Sequence, residues 1–311
     1  MNKVVTFDSV QSMFQIMEKM YDLVRVVDPF EKKIILFSNV DEKLNFSNAD
    51  CYSLWHKGNA CANCVSARAL NENNAIVKIE YDQGRVLMIS AFPVNVEGQK
   101  IVVEMFKDIT ESGIINIKAG IPASGRIDNV IDRRNQAIVQ DDLTRVYNKR
   151  YIYERLPFEI VQSHVNKSPL TVIMADIDDV KKVNDTHGHI AGDHILKGFS
   201  KIIKKYIRKN IDWVARFGGD EFLVVLGQTD IVHGQKIAER MRKKVATTTL
   251  TYEDQPIHIT GSFGVYCLSD EDITAEKLIE LADQQLYMSK EAGKNQVSYR
   301  QAIVRAQRHS L

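Results

Sequence analysis

No stretch of this chain approaches the ~20 consecutive apolar residues that a membrane-spanning helix needs. The leading MNKVVTFDSVQSMF carries no apolar core of the kind that directs secretion. Together these absences predict a cytoplasmic protein with no membrane span. An excess of one charge sign is missing too: 41 Lys and Arg against 40 Asp and Glu leave a net charge of +1, so no electrostatic footprint points to a nucleic-acid partner. Cysteine is scarce, with four in 311 residues, three of them clustered (Cys51, Cys61, Cys64) and Cys267 apart. In a cytosolic chain that pattern argues against a disulfide framework and leaves metal, redox chemistry or chance. Internal repeats and low-complexity tracts are absent as well. What the chain does have is length enough for two domains with separate cores.

The first 111 residues read as a small sheet with helices. Val10, Met13, Phe14, Met17 and Met20 recur at helical spacing and predict an amphipathic helix over residues 1–20. Strand-like runs follow at Asp22–Val27 and Lys33–Val40, divided by an Asp28-Pro29 turn. Residues 41–72 are polar and predict helix. Ala75–Tyr81, Val86–Val94 and Lys100–Phe106 then read as three strands, with turns at Asp82-Gln83-Gly84 and Glu97-Gly98. Two strands, short helices and three antiparallel strands, closing on Phe106-Lys107-Asp108-Ile109-Thr110-Glu111, resemble the PAS sensor fold. The resemblance implies that residues 1–111 sense a small-molecule or redox signal.

Inside that region lie Cys51, His56 and Cys61-Ala62-Asn63-Cys64. A Cys-x-x-Cys pair presents two thiols to one ion, and Cys51 or His56 would extend the set for zinc or iron. A redox role, or plain half-buried thiols on a helical segment, stand beside that reading. Cys267, in an alternating apolar strand, reads as core. Gly113, Gly120, Pro122 and Gly125 interrupt regular structure and mark a boundary. Residues 126–140 then predict a helix with Ile127, Val130, Ile131, Ala137 and Ile138 on one side. Residues 112–140 are thus a linker and signalling helix, or a solvated connector.

In the second half, Arg216-Phe217-Gly218-Gly219-Asp220-Glu221-Phe222 lies between two strand-like runs, Ile211–Phe217 and Glu221–Leu226. Paired glycines suit a tight hairpin. Two consecutive carboxylates at its tip are more than a hairpin requires. A second buried-strand run, Leu170–Ala175, ends in Asp176-Ile177-Asp178-Asp179. Acids at a strand end beside acids on a neighbouring hairpin can place oxygen ligands around a divalent cation; the plainer reading is a solvated, acid-decorated turn. His194–Lys209 is an amphipathic helix whose Lys201, Lys204, Lys205 and Arg208 form a solvated stripe. A helix (Ile231–Ala246), a strand (Ile257–Leu268), a helix (Ala275–Lys290) and a strand (Gln296–Tyr299) complete an α+β pattern, a mixed antiparallel sheet covered by helices.

Several separated motifs occur in order: Asp141-Asp142-Leu143-Thr144-Arg145-Val146-Tyr147-Asn148-Lys149-Arg150; Lys181-Lys182-Val183-Asn184-Asp185-Thr186-His187-Gly188-His189-Ile190-Ala191-Gly192-Asp193; the hairpin; and Tyr287-Met288-Ser289-Lys290-Glu291-Ala292-Gly293-Lys294-Asn295. Over residues 141–300 the chain resembles the diguanylate cyclase, or GGDEF, family, and the domain so implied spans 141–311. The resemblance implies a palm-like, nucleotide-cyclase-like sheet and condensation of two GTP into cyclic di-GMP. It implies Asp176, the Ile177 carbonyl, Asp220 and Glu221 as ligands of Mg²⁺ or Mn²⁺, with Asp220 also the proton acceptor and Glu221 assisting. Lys181, Lys290 and Lys294 match phosphate contacts, although the family usually carries Arg where Lys294 stands. Asn184 and Asp193 match the guanine-reading pair, and a carboxylate at Asp193 has reason to prefer guanine, whose N1–H and 2-amino group adenine lacks. His189 is placed to touch substrate; His187 and His189 read as loop residues rather than a zinc pair. One site holds one GTP, so turnover implies a homodimer. Lys209-Asn210-Ile211-Asp212 matches the family's inhibitory product site with its arginine replaced by lysine. The alternative is an inactive domain that only binds GTP or cyclic di-GMP as a receptor.

Overall fold

The computed structural model describes residues 13–14, 16–39, 42–46, 49–55, 61–112, 127–269 and 271–301. His56, most of the predicted first helix and the glycine-rich boundary lie outside them. The chain divides into two compact units, Met1–Val139 and Gln140–Leu311. Among the described residues no helix is long and apolar enough to cross a membrane.

The N-terminal unit is built on an antiparallel sheet. Its strands are β1 (Leu23–Asp28), β2 (Lys33–Asn39), β3 (Glu42–Phe46), β4 (Ile76–Asp82), β5 (Arg85–Val96) and β6 (Gln99–Asp108), in the order β3-β2-β1-β6-β5-β4. Within residues 41–72, where helix is predicted, Glu42–Phe46 instead adds β3 to the edge of β2, and among the described residues of that stretch only α1 (Val65–Glu72) is α-helical. A polar five-residue run is too short for stable helix, and pairing with β2 satisfies its backbone. Strand alternation gives the sheet two apolar faces. Phe14, Val24, Val26, Ile101 and Val103 pack on one. Val27, Trp55, Val65, Ala69, Ile89 and Phe106 pack on the other, beneath α1. That second face also buries charge: Arg25 donates to Glu104 at 2.5 Å and lies over the Phe106 ring, while Ser66 donates to the same carboxylate. The helix α2 (Ile127–Val139) belongs to this unit, and its Asn135 donates to the Ile79 carbonyl of β4 at 3.2 Å.

The C-terminal unit has helix α3 (Lys149–Val165), strand β7 (Leu170–Ile177), helices α4 (Val180–His187) and α5 (His189–Lys204), strands β8 (Trp213–Gly218) and β9 (Glu221–Gly227), and helix α6 (Ile231–Ala246). Strands β10 (Thr249–Tyr252), β11 (Gln255–His258) and β12 (Gly261–Leu268), helix α7 (Ala275–Glu291) and strand β13 (Val297–Gln301) follow. Its main sheet runs β13-β12-β7-β9-β8, with only the β12–β13 pair parallel. Every residue of β7 and β12 is buried, as expected of central strands covered on both faces. The strand predicted over Ile257–Leu268 is two elements: β11 pairs with β10 in a separate ribbon, and the chain re-enters the main sheet only at Gly261. The helix predicted from His194 begins earlier, at His189, and ends at Lys204. His187 and His189 are therefore helix-end residues flanking Gly188, not loop residues. Helix α7 lies against β12 so closely that a Cβ at Gly264 would sit 2.0 Å from the Leu286 nitrogen. That contact sets the helix bearing Lys290 beside the carboxyl end of β7.

Candidate active site

Asp176, the penultimate residue of β7, pairs in register with Glu221, the first residue of β9. In-register antiparallel neighbours place their side chains on one face with Cβ atoms ~5 Å apart. Asp220 sits in the turn just before Glu221, and its carbonyl accepts the Ile177 N–H at 3.4 Å. Gly219 makes the turn at φ 46°, a left-handed conformation that strains most side chains. Three carboxylates thus converge on the end of β7. Lys290 Nζ stands 3.0 Å from Asp176 Oδ2 and pairs with it.

The electrostatics follow from that crowding. Burial pushes the Asp176 carboxyl up to about 6; Lys290 opposes the shift, and Asp220 and Glu221 add to it. Glu221 is also raised, by burial first and then by Asp283 and Asp220, against Lys290 and Lys149. Among the described residues no three carboxylate, imidazole or thiol groups already stand in metal-binding geometry. The donor chemistry nonetheless fits a hard divalent cation: oxygen ligands, crowded negative charge, and one ammonium holding a carboxylate that a cation would take.

The turn is held from behind by Arg216. Its Nε and Nη2 donate to the Gly219 carbonyl at 2.8 and 2.7 Å, and Nη1 lies 3.3 Å from both oxygens of Asp141. Asp141 Oδ1 also accepts from the Thr144 N–H and hydroxyl at 2.8 and 2.7 Å. Burial works against the charged Asp141, but the Thr144 hydrogen bonds and the Arg216 charge prevail and hold it below the usual carboxylate range.

Of the predicted substrate residues, Lys181, Asn184, His189 and Asp193 lie on α4 and α5, Lys290 on α7 and Lys294 just beyond it. Lys181 is exposed and three residues before Asn184, so the two share one side of α4. The Asn184 Oδ1 is buried without a hydrogen-bond partner. It lies where a Cβ on Gly192 would stand, 1.9 Å from it, so Gly192 makes the room for this amide. Asp193, next on α5, is exposed, as is His189 at the helix start. Lys294 Nζ is bound to Asp179 Oδ1 at 2.6 Å. The carboxylate at Asp212 is engaged by Arg208, while Lys209 is exposed.

Sequence reasoning missed four contributors. Asp178 is buried, accepting from Thr260 and Ser262 hydroxyls at 2.6 and 2.7 Å and from the Asn295 N–H at 3.1 Å, and so ties β7, β12 and the segment after α7 together. Its place in an Asp-Ile-Asp-Asp run gave the only available signal. Arg216, Asp283 and Lys149, whose Nζ lies 4.3 Å from the Phe217 ring centroid, depend on tertiary contacts that no spacing announces.

The three clustered thiols are not gathered into a ligand set among the described residues. Burial pushes Cys51 and Cys61 up to about 12 and raises Cys64. Cys267 is buried in β12, as expected of core.

A mixed sheet flanked by helices, with carboxylates from a central strand and a glycine hairpin meeting at one end, defines an α+β domain of the cyclase-like class. The family profile "Diguanylate cyclase, GGDEF domain" matches residues 138–296, and the chain belongs to that family. Over 161 residues it is 38% identical to Diguanylate cyclase A of Treponema denticola, covering 51% of this chain and 43% of the relative. Over 171 residues it is 33% identical to the response regulator PleD of Caulobacter vibrioides, covering 54% and 37%. The chain spans less than half the length of these curated relatives. Among solved structures it is similar to diguanylate cyclase SiaD of Pseudomonas aeruginosa in complex with its activator SiaC, with TM-score 0.52 and 29% identity over 55% of this chain and 65% of that one. The GGDEF domain of DgcB from Caulobacter crescentus in complex with c-di-GMP gives TM-score 0.50 and 25% identity over 52% and 93%.

Proposed function

We propose that this protein is a diguanylate cyclase, joining two GTP into cyclic di-GMP with release of two pyrophosphates. The observation that carries the reading is the register pairing of Asp176 with Glu221 beside Asp220, a group of carboxylates whose buried member, Asp176, is paired with Lys290. Asp176, the Ile177 carbonyl, Asp220 and Glu221 would hold Mg²⁺ or Mn²⁺. Bound there, the cation lowers the pKa of the attacking 3′-hydroxyl and neutralises phosphate charge.

The chain's own groups do the rest. Asp220 accepts the proton of the 3′-hydroxyl as it attacks the α-phosphorus. Lys290, relieved of Asp176, and Lys181 face the phosphates and the charge that grows on them. Lys294 contributes a point charge rather than the two-pronged contact an arginine would give. Asn184, with its unpartnered Oδ1, and Asp193 read the guanine edge; adenine would leave the carboxylate without its donors. Each domain holds one GTP, so two copies must face each other in a homodimer.

Residues 1–111 would act as the sensor and 112–140 as the transmitting segment. The strand order β2-β1-β6-β5-β4 with α1 on one face supports a PAS-like assignment, β3 being an addition at the edge. The decisive experiment is incubation of the full chain with GTP and Mg²⁺ and mass spectrometry of the product. Cyclic di-GMP supports the reading. GTP bound but unchanged by a folded dimer would assign the protein as a receptor instead.

A further inference from the structure

Three thiols of the N-terminal unit take no part in the chemistry above, and two of them sit where the fold can use them. We propose that Cys61 and Cys64 close into a reversible disulfide and that α2 reads its state through Asn63. Ala62 and Asn63 form a turn between the two cysteines. The ends of such a four-residue turn lie within ~7 Å, Cα to Cα, which includes the span that a disulfide bridges. Both residues are half-buried, with part of their surface open to solvent.

What lies between the thiols is an anchor. Asn63 is only 4% exposed. Its carbonyl accepts from Lys78 Nζ at 2.7 Å, its Oδ1 from Arg68 Nη1 at 3.4 Å, and its Nδ2 donates to Asn135 Oδ1 at 3.5 Å. Asn135 in turn donates to the Ile79 carbonyl. The residue flanked by the two cysteines therefore ties the entrance of α1 to α2. Cys64 also caps α1, its sulfur accepting from the Ala67 N–H at 3.5 Å. Turning that sulfur toward Cys61 removes the cap and moves Asn63. Helix α2 is placed to respond, because its Asn135 is the partner of Asn63 while its Val130, Arg133, Arg134, Gln136 and Ala137 face solvent. The same helix continues in sequence into Gln140 and Asp141, the partner of Arg216.

The step is exchange with a low-molecular-weight disulfide. One cysteine, as thiolate, attacks a sulfur of the reagent and expels the first reagent thiolate. The other then attacks the protein sulfur of the mixed disulfide and expels the second. Two protein S–H bonds and one reagent S–S bond become one protein S–S bond and two reagent S–H bonds. The protons pass to the departing thiolates, and the protein is oxidised by two electrons. Burial pushes the Cys61 thiol up to about 12, so exchange draws on a scarce thiolate and is slow at neutral pH.

The test equilibrates the full-length protein with graded ratios of reduced and oxidised glutathione, followed by alkylation and trypsin. Residues 58–68 leave as one peptide containing both cysteines. The proposal expects that peptide to carry two alkyl groups when reduced and, on oxidation, to escape alkylation and weigh two hydrogens less than its free-dithiol form, reversibly and in Cys51→Ser protein as in wild type. Amide hydrogen exchange over residues 127–139 should change at the same ratio by about three- to tenfold, the effect of one lost hydrogen bond. In Asn135→Ala protein the disulfide should still form while the change in α2 exchange disappears. Both readouts are independent of catalysis. No disulfide within the peptide at any ratio, pairing with Cys51 instead, or a disulfide that leaves α2 exchange unchanged would each overturn the proposal. So would zinc or iron released in stoichiometric amount on oxidation, which would assign the thiols to a metal.

Discussion

Arg208 grips Asp212 with both arms of its guanidinium, Nε to Oδ2 at 2.9 Å and Nη2 to Oδ1 at 2.7 Å, while its backbone N–H reaches Oδ2 at 2.7 Å. The Asp212 side chain is fully buried in this clasp, and Nη2 also contacts the Gly227 carbonyl and the Thr229 hydroxyl. The carboxylate is therefore satisfied from within, and Arg208, the arginine adjacent to Lys209, is occupied. Losing one bidentate arginine contact costs about 1–3 kcal/mol, some five- to two-hundredfold in affinity. Product feedback at this site should be weak or absent. Titration calorimetry of cyclic di-GMP into the full chain checks this: a sub-micromolar site that vanishes in Asp212→Asn would contradict it. Arg208→Ala should lower stability by about 1–3 kcal/mol, because it strands a buried acceptor.

The Asp176 carboxyl predicts a pH-dependent stability in metal-free protein. With its pKa raised to about 6, it holds a proton more tightly folded than unfolded. Its stabilising contribution is complete below about pH 4, declines as the pH rises to about 6 and is lost above that. Urea melts of wild type should therefore show a gain of up to about 2 kcal/mol between pH 7 and pH 4 that Asp176→Asn lacks. Mg²⁺ should stabilise the wild type at pH 7 and lose most of that effect near pH 5, where protons compete for the same oxygens. Equal pH profiles for the two proteins would remove the premise that Asp176 is the strained member of the carboxylate group.

Arg216 links the Gly219 carbonyl to Asp141 across 75 residues of sequence. It touches none of the proposed reacting atoms, so its effect must come through the position of the Asp220 turn. Misplacement by an ångström can lower turnover about a hundredfold. Arg216→Ala should reduce kcat about ten- to a hundredfold with a small change in KM, and Asp141→Asn less, since the Gly219 contacts survive. A steady-state comparison decides it; unchanged kcat in folded Arg216→Ala would show that the turn holds its shape alone.

How much of this was legible in the sequence follows from which interactions are local. Helix Ile231–Ala246 has the bounds its sequence predicts, and the structure adds the Asp230 side chain that caps it by accepting from the His233 N–H. The acidic hairpin and the strand ending at Asp176 were visible too. Strand β3 was not, because a polar five-residue run becomes a strand only by pairing with β2. Asp178 was visible as an acid but not as a buried one, since Thr260 and Ser262 lie 82 and 84 positions away. Lys290 was assigned to phosphate, yet its hold on Asp176 in the free protein required the Gly264 crossing that sequence pattern does not announce.

Gly192 offers a way to test the proposed base-reading role of Asn184 apart from the chemistry. The Asn184 Oδ1 is buried and unpartnered, held where a Cβ on residue 192 would come within 1.9 Å. An orphaned acceptor of this kind costs stability unless a ligand supplies a donor. Gly192→Ala leaves the helix backbone free to form but drives the Asn184 amide aside, and the glycine is not in a left-handed conformation, so the fold should tolerate it. The expected result is a KM for GTP raised about five- to fiftyfold, one to two kcal/mol of lost ground-state and transition-state binding, with kcat little changed. Asn184→Ala should raise KM similarly while making the GTP-free protein slightly more stable, because the buried unpartnered acceptor is gone. Thermal melts without nucleotide and initial rates against GTP concentration distinguish these outcomes. A fall in kcat at unchanged KM would place Asn184 in the chemical step rather than in base recognition. Lower stability of Asn184→Ala would mean that its amide supports the α4–α5 packing and was never reserved for substrate.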